Sequence, residues 1–125
     1  MKRVLIVDDA IVARMVLKKI LEQAGYEVVG EAVDGVEAVE KYDQLKPDIV
    51  TMDIVMPEMD GIEATAKITG SDPSARVIMT STMHQKELSL KAIEAGACSY
   101  IVKPYEKDRI LRTIEQILHD KDLRN

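Results

Sequence analysis

Apolar bursts alternate with segments of helical period along the chain, five times over. Val4-Leu5-Ile6-Val7 is a short continuous apolar run, the pattern of a strand buried on both faces. From about Ile11 to Ala24, the positions Ala13, Val16, Leu17, Ile20 and Ala24 recur at helical spacing, and Gly25 stops the segment. Glu27 to Glu31 predicts a second strand centred on Val28 and Val29. Gly35 to Leu45 predicts a helix with Ala38, Val39 and Tyr42 on one side, ended by Lys46-Pro47. Asp48 to Met52 predicts a third strand. A loop with Pro57 and Asp60-Gly61 follows, then a short helix carrying Ile62, Thr65 and Ile68 and closed by Gly70. Arg76 to Thr80 predicts strand four, Gln85 to Ala95 a helix capped by Gly96, and Ser99 to Val102 strand five. In the last helix Ile110, Leu111, Ile114, Ile117 and Leu118 form a clear apolar stripe.

Strict alternation of strand and helix predicts an α/β fold: a five-stranded parallel sheet with helices on both faces. Right-handed crossovers leave few topologies. Sites in such sheets lie at the carboxyl ends of the strands, so the chemistry is to be sought in the loops that follow them.

Composition narrows the function. At 125 residues the chain reads as a single domain, residues 1–125, with no room for a second catalytic or DNA-binding module. No apolar run approaches the ~20 residues of a membrane span. The start, MKRVLIVDD, is too short in apolar residues for a secretion signal. The expectation is a cytoplasmic protein and a monomer, without membrane contact. Net charge is −5, with no Trp, no Phe and no basic run, which argues against a nucleic-acid groove. A single cysteine, Cys98, excludes an internal disulfide. It reads as a small buried residue, because nothing basic adjoins it to lower its pKa.

The strand ends carry the polar residues: Asp8-Asp9 after strand one, Asp53 after strand three, Ser81 after strand four and Lys103-Pro104 after strand five. Each has a plain structural explanation. Asp9 could cap the first helix, Asp53 could be a turn residue, Ser81 a loop hydroxyl and Lys103 a solvated charge. Five such placements on one edge point together to a site. Clustered carboxylates repel, and a divalent cation removes that penalty. Hard oxygen donors without an adjoining histidine or thiolate favour Mg²⁺ over Zn²⁺. Mg²⁺ shared between carboxylates and phosphate oxygens describes phosphoryl transfer. Asp53 is then the candidate nucleophile, with Lys103 and Ser81 as partners of the phosphoryl oxygens. Neutralising Asp8 or Asp9 should relieve repulsion in the metal-free protein.

Other chemistries lack their motifs. The turn after strand one is Asp-Asp-Ala instead of glycine-rich, and neither GxxxxGK[ST] nor GxSxG occurs. His84 and His119 have no metal-ligand spacing and read as surface residues.

The segments VLIVDDA at 4–10, KPDIVTMDIVMPEMDGIEA at 46–64, TST at 80–82 and AGACSYIVKPY at 95–105 resemble the response-regulator receiver domains of two-component signalling. The likeness spans nearly the whole chain and is greatest to the single-domain, CheY-like chemotaxis type. It implies a flavodoxin-like sheet of strand order 2-1-3-4-5, a feature that comes with the resemblance. It implies that Asp53 is the phosphoacceptor and that Mg²⁺ is held by Asp9, Asp53 and the main-chain carbonyl of Val55, with Asp8 acting through water. Ser81 and Tyr100 become the switch residues, Lys103 the phosphoryl partner, and the Lys103-Pro104 peptide cis. The implied partners are a histidine kinase as donor, a target on the face of helix four, strand five and helix five, and a phosphatase. Ile93 and Tyr105 are candidate anchors for the target, although Ile93 fits core packing equally well.

The resemblance makes the chain a signalling switch instead of a conventional enzyme, with self-phosphorylation and autodephosphorylation of its own. A phosphorelay shuttle, a receiver excised from a transcriptional regulator and an aspartyl-phosphate phosphohydrolase are the alternatives. The short loops leave no cap or substrate pocket for the last. Val55 and Met83 flank the expected path of an attacking water and are both apolar, so a long-lived acyl phosphate is expected. Met52, Met56, Met59, Met79 and Met83 read as gap-fillers around the loops.

Overall fold

The computed structural model describes residues 2–82 and 85–119. Five strands and five helices alternate without exception. They are β1 (Arg3–Val7), α1 (Ile11–Gln23), β2 (Glu27–Ala32), α2 (Gly35–Leu45), β3 (Ile49–Asp53), α3 (Gly61–Ser71), β4 (Val77–Ser81), α4 (Lys86–Glu94), β5 (Ser99–Val102) and α5 (Lys107–His119). All strand pairs are parallel and the order is β2-β1-β3-β4-β5, as the resemblance implied.

The pleat sorts alternate strand residues into two half-cores. Leu5, Val7, Val50, Met52, Val77 and Met79 face α2, α3 and α4, where Ala38, Tyr42, Ala64, Ile68 and Ala92 meet them. Val4, Ile6, Ile49, Ile78 and Ile101 face α1 and α5, against Leu17, Leu21, Ile110 and Ile114. Both faces of every central strand are covered, which explains their continuous apolar runs.

Four sequence expectations shift. Gly70, expected to close the third helix, lies inside α3, which runs on to Ser71. Asp53 and Ser81 are the last residues of β3 and β4, one position inside the strands that were expected to precede them. Strand hydrogen bonds therefore fix their backbones. On α1, Leu17 and Leu21 are buried, whereas Val16, expected on the core stripe, is 45% exposed. Ile11, Val12 and Met15 are exposed too, so the first half of α1 carries apolar residues on its outer arc as well as on its core arc, and its periodicity does not select a face. Cys98, expected to be buried, is half-buried.

Helix starts near the strand ends are held by side chains. Asp34 accepts the Glu37 N–H at 2.8 Å and Asp60 accepts the Glu63 N–H at 2.9 Å, each an N-cap. Among the described residues no helix is long and apolar enough to cross a membrane.

Candidate functional site

The carboxyl edge of the sheet brings Asp8, Asp9, Asp53, Ser81 and Lys103 to one end of the fold. Asp8 directly follows β1 and is only 2% exposed, whereas Asp9 beside it is exposed. Asp8 Oδ1 accepts the Ala10 N–H at 2.9 Å, and the Asp8 carbonyl accepts from Arg14 Nη1 at 2.6 Å. The start of α1 is thus tied to Asp8. The cap position of α1 is Ala10, without a side-chain cap bond, so the capping explanation of Asp9 does not hold. Asp53 is 8% exposed and its Oδ1 accepts the Ile54 N–H at 3.0 Å.

Lys103 reaches the edge from the end of β5. Its Nζ donates to Asp8 Oδ2 at 2.7 Å and lies 3.4 Å from Asp53 Oδ1. The Lys103-Pro104 peptide is cis. Burial lowers the affinity of Lys103 for its proton, but the hydrogen bond to Asp8 and the charge of Asp53 outweigh that, and its pKa lies above the ordinary lysine value. Asp53 goes the other way for a carboxylate. Burial, and then the negative charge of Asp8, push its pKa up to about 6, with Lys103 opposing only in part.

That imbalance is what a cation corrects. One carboxylate oxygen from each of Asp8, Asp9 and Asp53 lies within 4.8 Å of the others. All three donors are hard oxygens, and the one ammonium among them leaves negative charge uncompensated. The donor set fits Mg²⁺.

The backbone around Asp53 is set by Gly61. The Gly61 N–H donates to the Ile54 carbonyl at 2.7 Å, and a Cβ at Gly61 would stand 2.0 Å from the Asp53 carbonyl oxygen. Only glycine permits the start of α3 to pack so closely against the end of β3. The Asp60-Gly61 pair, read in the sequence as a turn, therefore also positions the nucleophile candidate.

Ser81 is fully buried, and the Lys103 N–H donates to its carbonyl at 2.6 Å. Its hydroxyl lies 3.2 Å from that of Ser89 on α4. Ser89 was not among the expected site residues. It lies three positions before the buried Ala92, on the core stripe of α4, and a serine on such a stripe is the signal that would have found it. A pocket of about 140 Å³ beside this pair is lined by Ser81, Thr82, Lys86, Ser89, Tyr100 and Val102. It is far smaller than a small-molecule site, which is typically ~300–1,000 Å³. The Tyr100 side of it is open, with Tyr100 37% exposed.

Val55 lies in the β3–α3 loop, 56% exposed. Ile93 and Leu90 are both exposed on α4, so the core-packing explanation of Ile93 does not hold. Tyr105 is half-buried against the α1/α5 half-core. Met52, Met56 and Met79 are buried and Met59 is partly so, as gap-fillers should be. Met83 and His84 lie outside the described residues, and His119 is exposed.

The comparisons with known proteins agree with this geometry. The family model of the response regulator receiver domain matches residues 4–115. Chemotaxis protein CheY of Thermotoga maritima is 55% identical over 116 residues, 93% of this chain and 97% of that protein. CheY of Bacillus subtilis is 53% identical, over 94% of this chain and 98% of that one. Among solved structures, a CheY-like response regulator receiver domain protein from Methanospirillum hungatei superposes with a TM-score of 0.90 at 31% identity, covering 100% of this chain and 99% of that one. A chain of the CheX-CheY-BeF3-Mg complex from Borrelia burgdorferi gives 0.88 at 38% identity, over 93% and 88%. By fold, strand-end chemistry and extended sequence likeness, the chain belongs to the response regulator receiver domain family.

Proposed function

We propose that this chain is a phosphorylation-activated switch of chemotaxis signalling, with Asp53 as its phosphoacceptor. The observation that carries the proposal is the contact set of Lys103, whose Nζ lies within 3.4 Å of Asp53 and 2.7 Å of Asp8 beside three converging carboxylates. An anionic phosphoryl group on Asp53 would meet this ammonium. The chain's likeness to CheY proteins over more than nine-tenths of its length supports the chemotaxis setting.

In this reading the donor is a phosphohistidine of a histidine kinase in the cytoplasm. An oxygen of the Asp53 carboxylate attacks phosphorus, the P–N bond breaks, and the departing imidazole nitrogen keeps the electron pair. Asp9, Asp53 and the main-chain carbonyl of Val55, with Asp8 through water, would hold Mg²⁺, which when bound would supply positive charge to the phosphoryl oxygens. Lys103 and the Ser81 hydroxyl donate to those oxygens. Drawing Ser81 inward vacates space that the Tyr100 ring can enter, and the α4–β5–α5 face becomes the target surface. The exposed Leu90, Ile93 and Tyr100 suit such a surface. A partner that hastens loss of the phosphoryl group completes the cycle.

The test is chemical. Incubation with Mg²⁺ and acetyl phosphate or phosphoramidate should label Asp53 with an acid-resistant, base-labile phosphoryl group. Asp53→Asn should fold and remain unlabelled. Equal labelling of the two proteins, or repeated turnover of diverse phosphate esters, would replace this reading with another.

A further inference from the structure

Ser89 is a polar side chain with no solvent exposure, on a helix whose other fully buried residue is Ala92. Its hydroxyl has two neighbours, the Gln85 carbonyl at 3.1 Å and the Ser81 hydroxyl at 3.2 Å. A hydroxyl carries one proton. The Gln85 carbonyl can only accept, whereas the Ser81 hydroxyl can also donate, so two full hydrogen bonds, instead of one proton shared between two acceptors, form when Ser89 donates to the carbonyl and accepts from Ser81. The proton of Ser81 is then directed to α4 and away from Asp53.

We propose that Ser89 is a positioning residue for Ser81: a latch that ties its hydroxyl to α4 in the unphosphorylated protein and sets the cost of switching. The inference rests on the reading of Ser81 as the hydroxyl that turns to the phosphoryl group. Three observations make the latch suited to release. Its 3.2 Å length exceeds the 2.7–2.8 Å usual for two hydroxyls, so the bond is weak. Ser89 keeps its bond to the Gln85 carbonyl when Ser81 leaves, so no buried donor is orphaned. The adjoining pocket of about 140 Å³ gives the two side chains room to part.

The latch also reaches the loop between β4 and α4. Gln85, whose carbonyl accepts from the Ser89 hydroxyl, exchanges two hydrogen bonds with Thr82. Its N–H donates to the Thr82 carbonyl at 3.1 Å, and its side-chain oxygen accepts the Thr82 N–H at 2.8 Å. Release of Ser81 therefore frees the first turn of α4 from β4 at this point, while the Ser89–Gln85 and Gln85–Thr82 bonds stay in place. This route to the target face does not pass through Tyr100.

A double-mutant cycle of Ser81→Ala and Ser89→Ala tests the latch with two readouts. Urea unfolding of the metal-free proteins should show coupling: the two substitutions together cost less than the sum of each alone. Calorimetric titration with beryllofluoride and Mg²⁺, a phosphoryl mimic, should show Ser89→Ala binding about two- to fivefold more tightly than the wild type, the scale of one weak hydrogen bond. In the Ser81→Ala background, Ser89→Ala should change mimic affinity by nothing. Unchanged or weaker mimic binding by Ser89→Ala, or the same change in both backgrounds, would overturn the latch and leave Ser89 a packing residue. Failure of the wild type itself to bind the mimic would overturn the receiver function on which the latch rests.

Discussion

The Lys103 ammonium is paired first with Asp8, at 2.7 Å, and only second with Asp53, at 3.4 Å. The two members of the closer pair lie 95 positions apart in sequence and hold the ends of β1 and β5 at one site. This pairing separates the two acidic neighbours that repulsion alone would treat alike.

In metal-free protein, Asp9→Asn should leave stability unchanged or slightly raised, because Asp9 is exposed and caps nothing. Asp8→Asn should lower it by about 1–3 kcal/mol, because Lys103 loses its closest charged partner in a buried setting. Denaturant melts in EDTA measure both. A gain for Asp8→Asn would show that its repulsion of Asp53 outweighs its bond to Lys103.

Asp53 predicts a pH dependence. Its pKa is raised from 3.8 to about 6, so the folded, metal-free protein binds a proton that the unfolded chain has already released between these values. Relative to a neutral side chain, Asp53 costs nothing below pH 3.8. Its cost grows from pH 3.8 to about 6 and stays constant above. Asp53→Asn should therefore stabilise the metal-free protein by about 2–3 kcal/mol at pH 8 and hardly at all at pH 3.5. Melts of the two proteins at both pH values in EDTA provide the check. A pH-independent difference would mean that Asp53 is not the group carrying the strain.

The acyl phosphate on Asp53 should be long-lived. Neither Val55 nor Met83 can orient a water, and general acid–base assistance is typically worth ~10²–10⁴-fold. Val55→Asn and Met83→Glu should each speed decay of the label, by roughly tenfold or more if the new group reaches the water. A wild-type lifetime of seconds that neither change alters contradicts this expectation.

Tyr100 should become less accessible when the phosphoryl mimic binds, as its ring enters the pocket beside Ser81. Its aromatic proton shifts report this directly. Ser81→Ala should uncouple the ring from the mimic and remove about 1–3 kcal/mol of coupling to the target surface. A Tyr100 ring that responds equally in wild type and Ser81→Ala places the trigger elsewhere.

Much of this was legible in the sequence because strand ends are legible. Buried parallel strands are short apolar runs, and the polar residue that ends each run lies on the functional edge whether it is the last strand residue, like Asp53 and Ser81, or the next one, like Asp8. The side of α1 that faces the core was not legible. Ile11, Val12, Met15 and Val16 form a second apolar arc on its outer side, so only packing selects Leu17 and Leu21. Nor was the Ser81–Ser89 contact, which depends on the rotation of α4 about its axis. The preference of Lys103 for Asp8 is likewise a matter of tertiary distance.

The alternation that builds the two half-cores continues to the strand ends. Position 53 shares a pleat with Ile49, and positions 8 and 103 continue those of Val4 and Ile6 and of Ile101, all on the α1/α5 side. Position 81 shares a pleat with Val77 and Met79, on the α4 side. The sheet thus divides these positions: Asp8, Asp53 and Lys103 stand on one side and Ser81 on the other, while Asp9, in step with Leu5 and Val7, falls on the Ser81 side. In the proposed switch, changes on the α1 side would act first on the surroundings of Asp53, and changes on the α4 side first on the hydroxyl that answers it. A fold divided in this way can be rewired at either end without rebuilding the other.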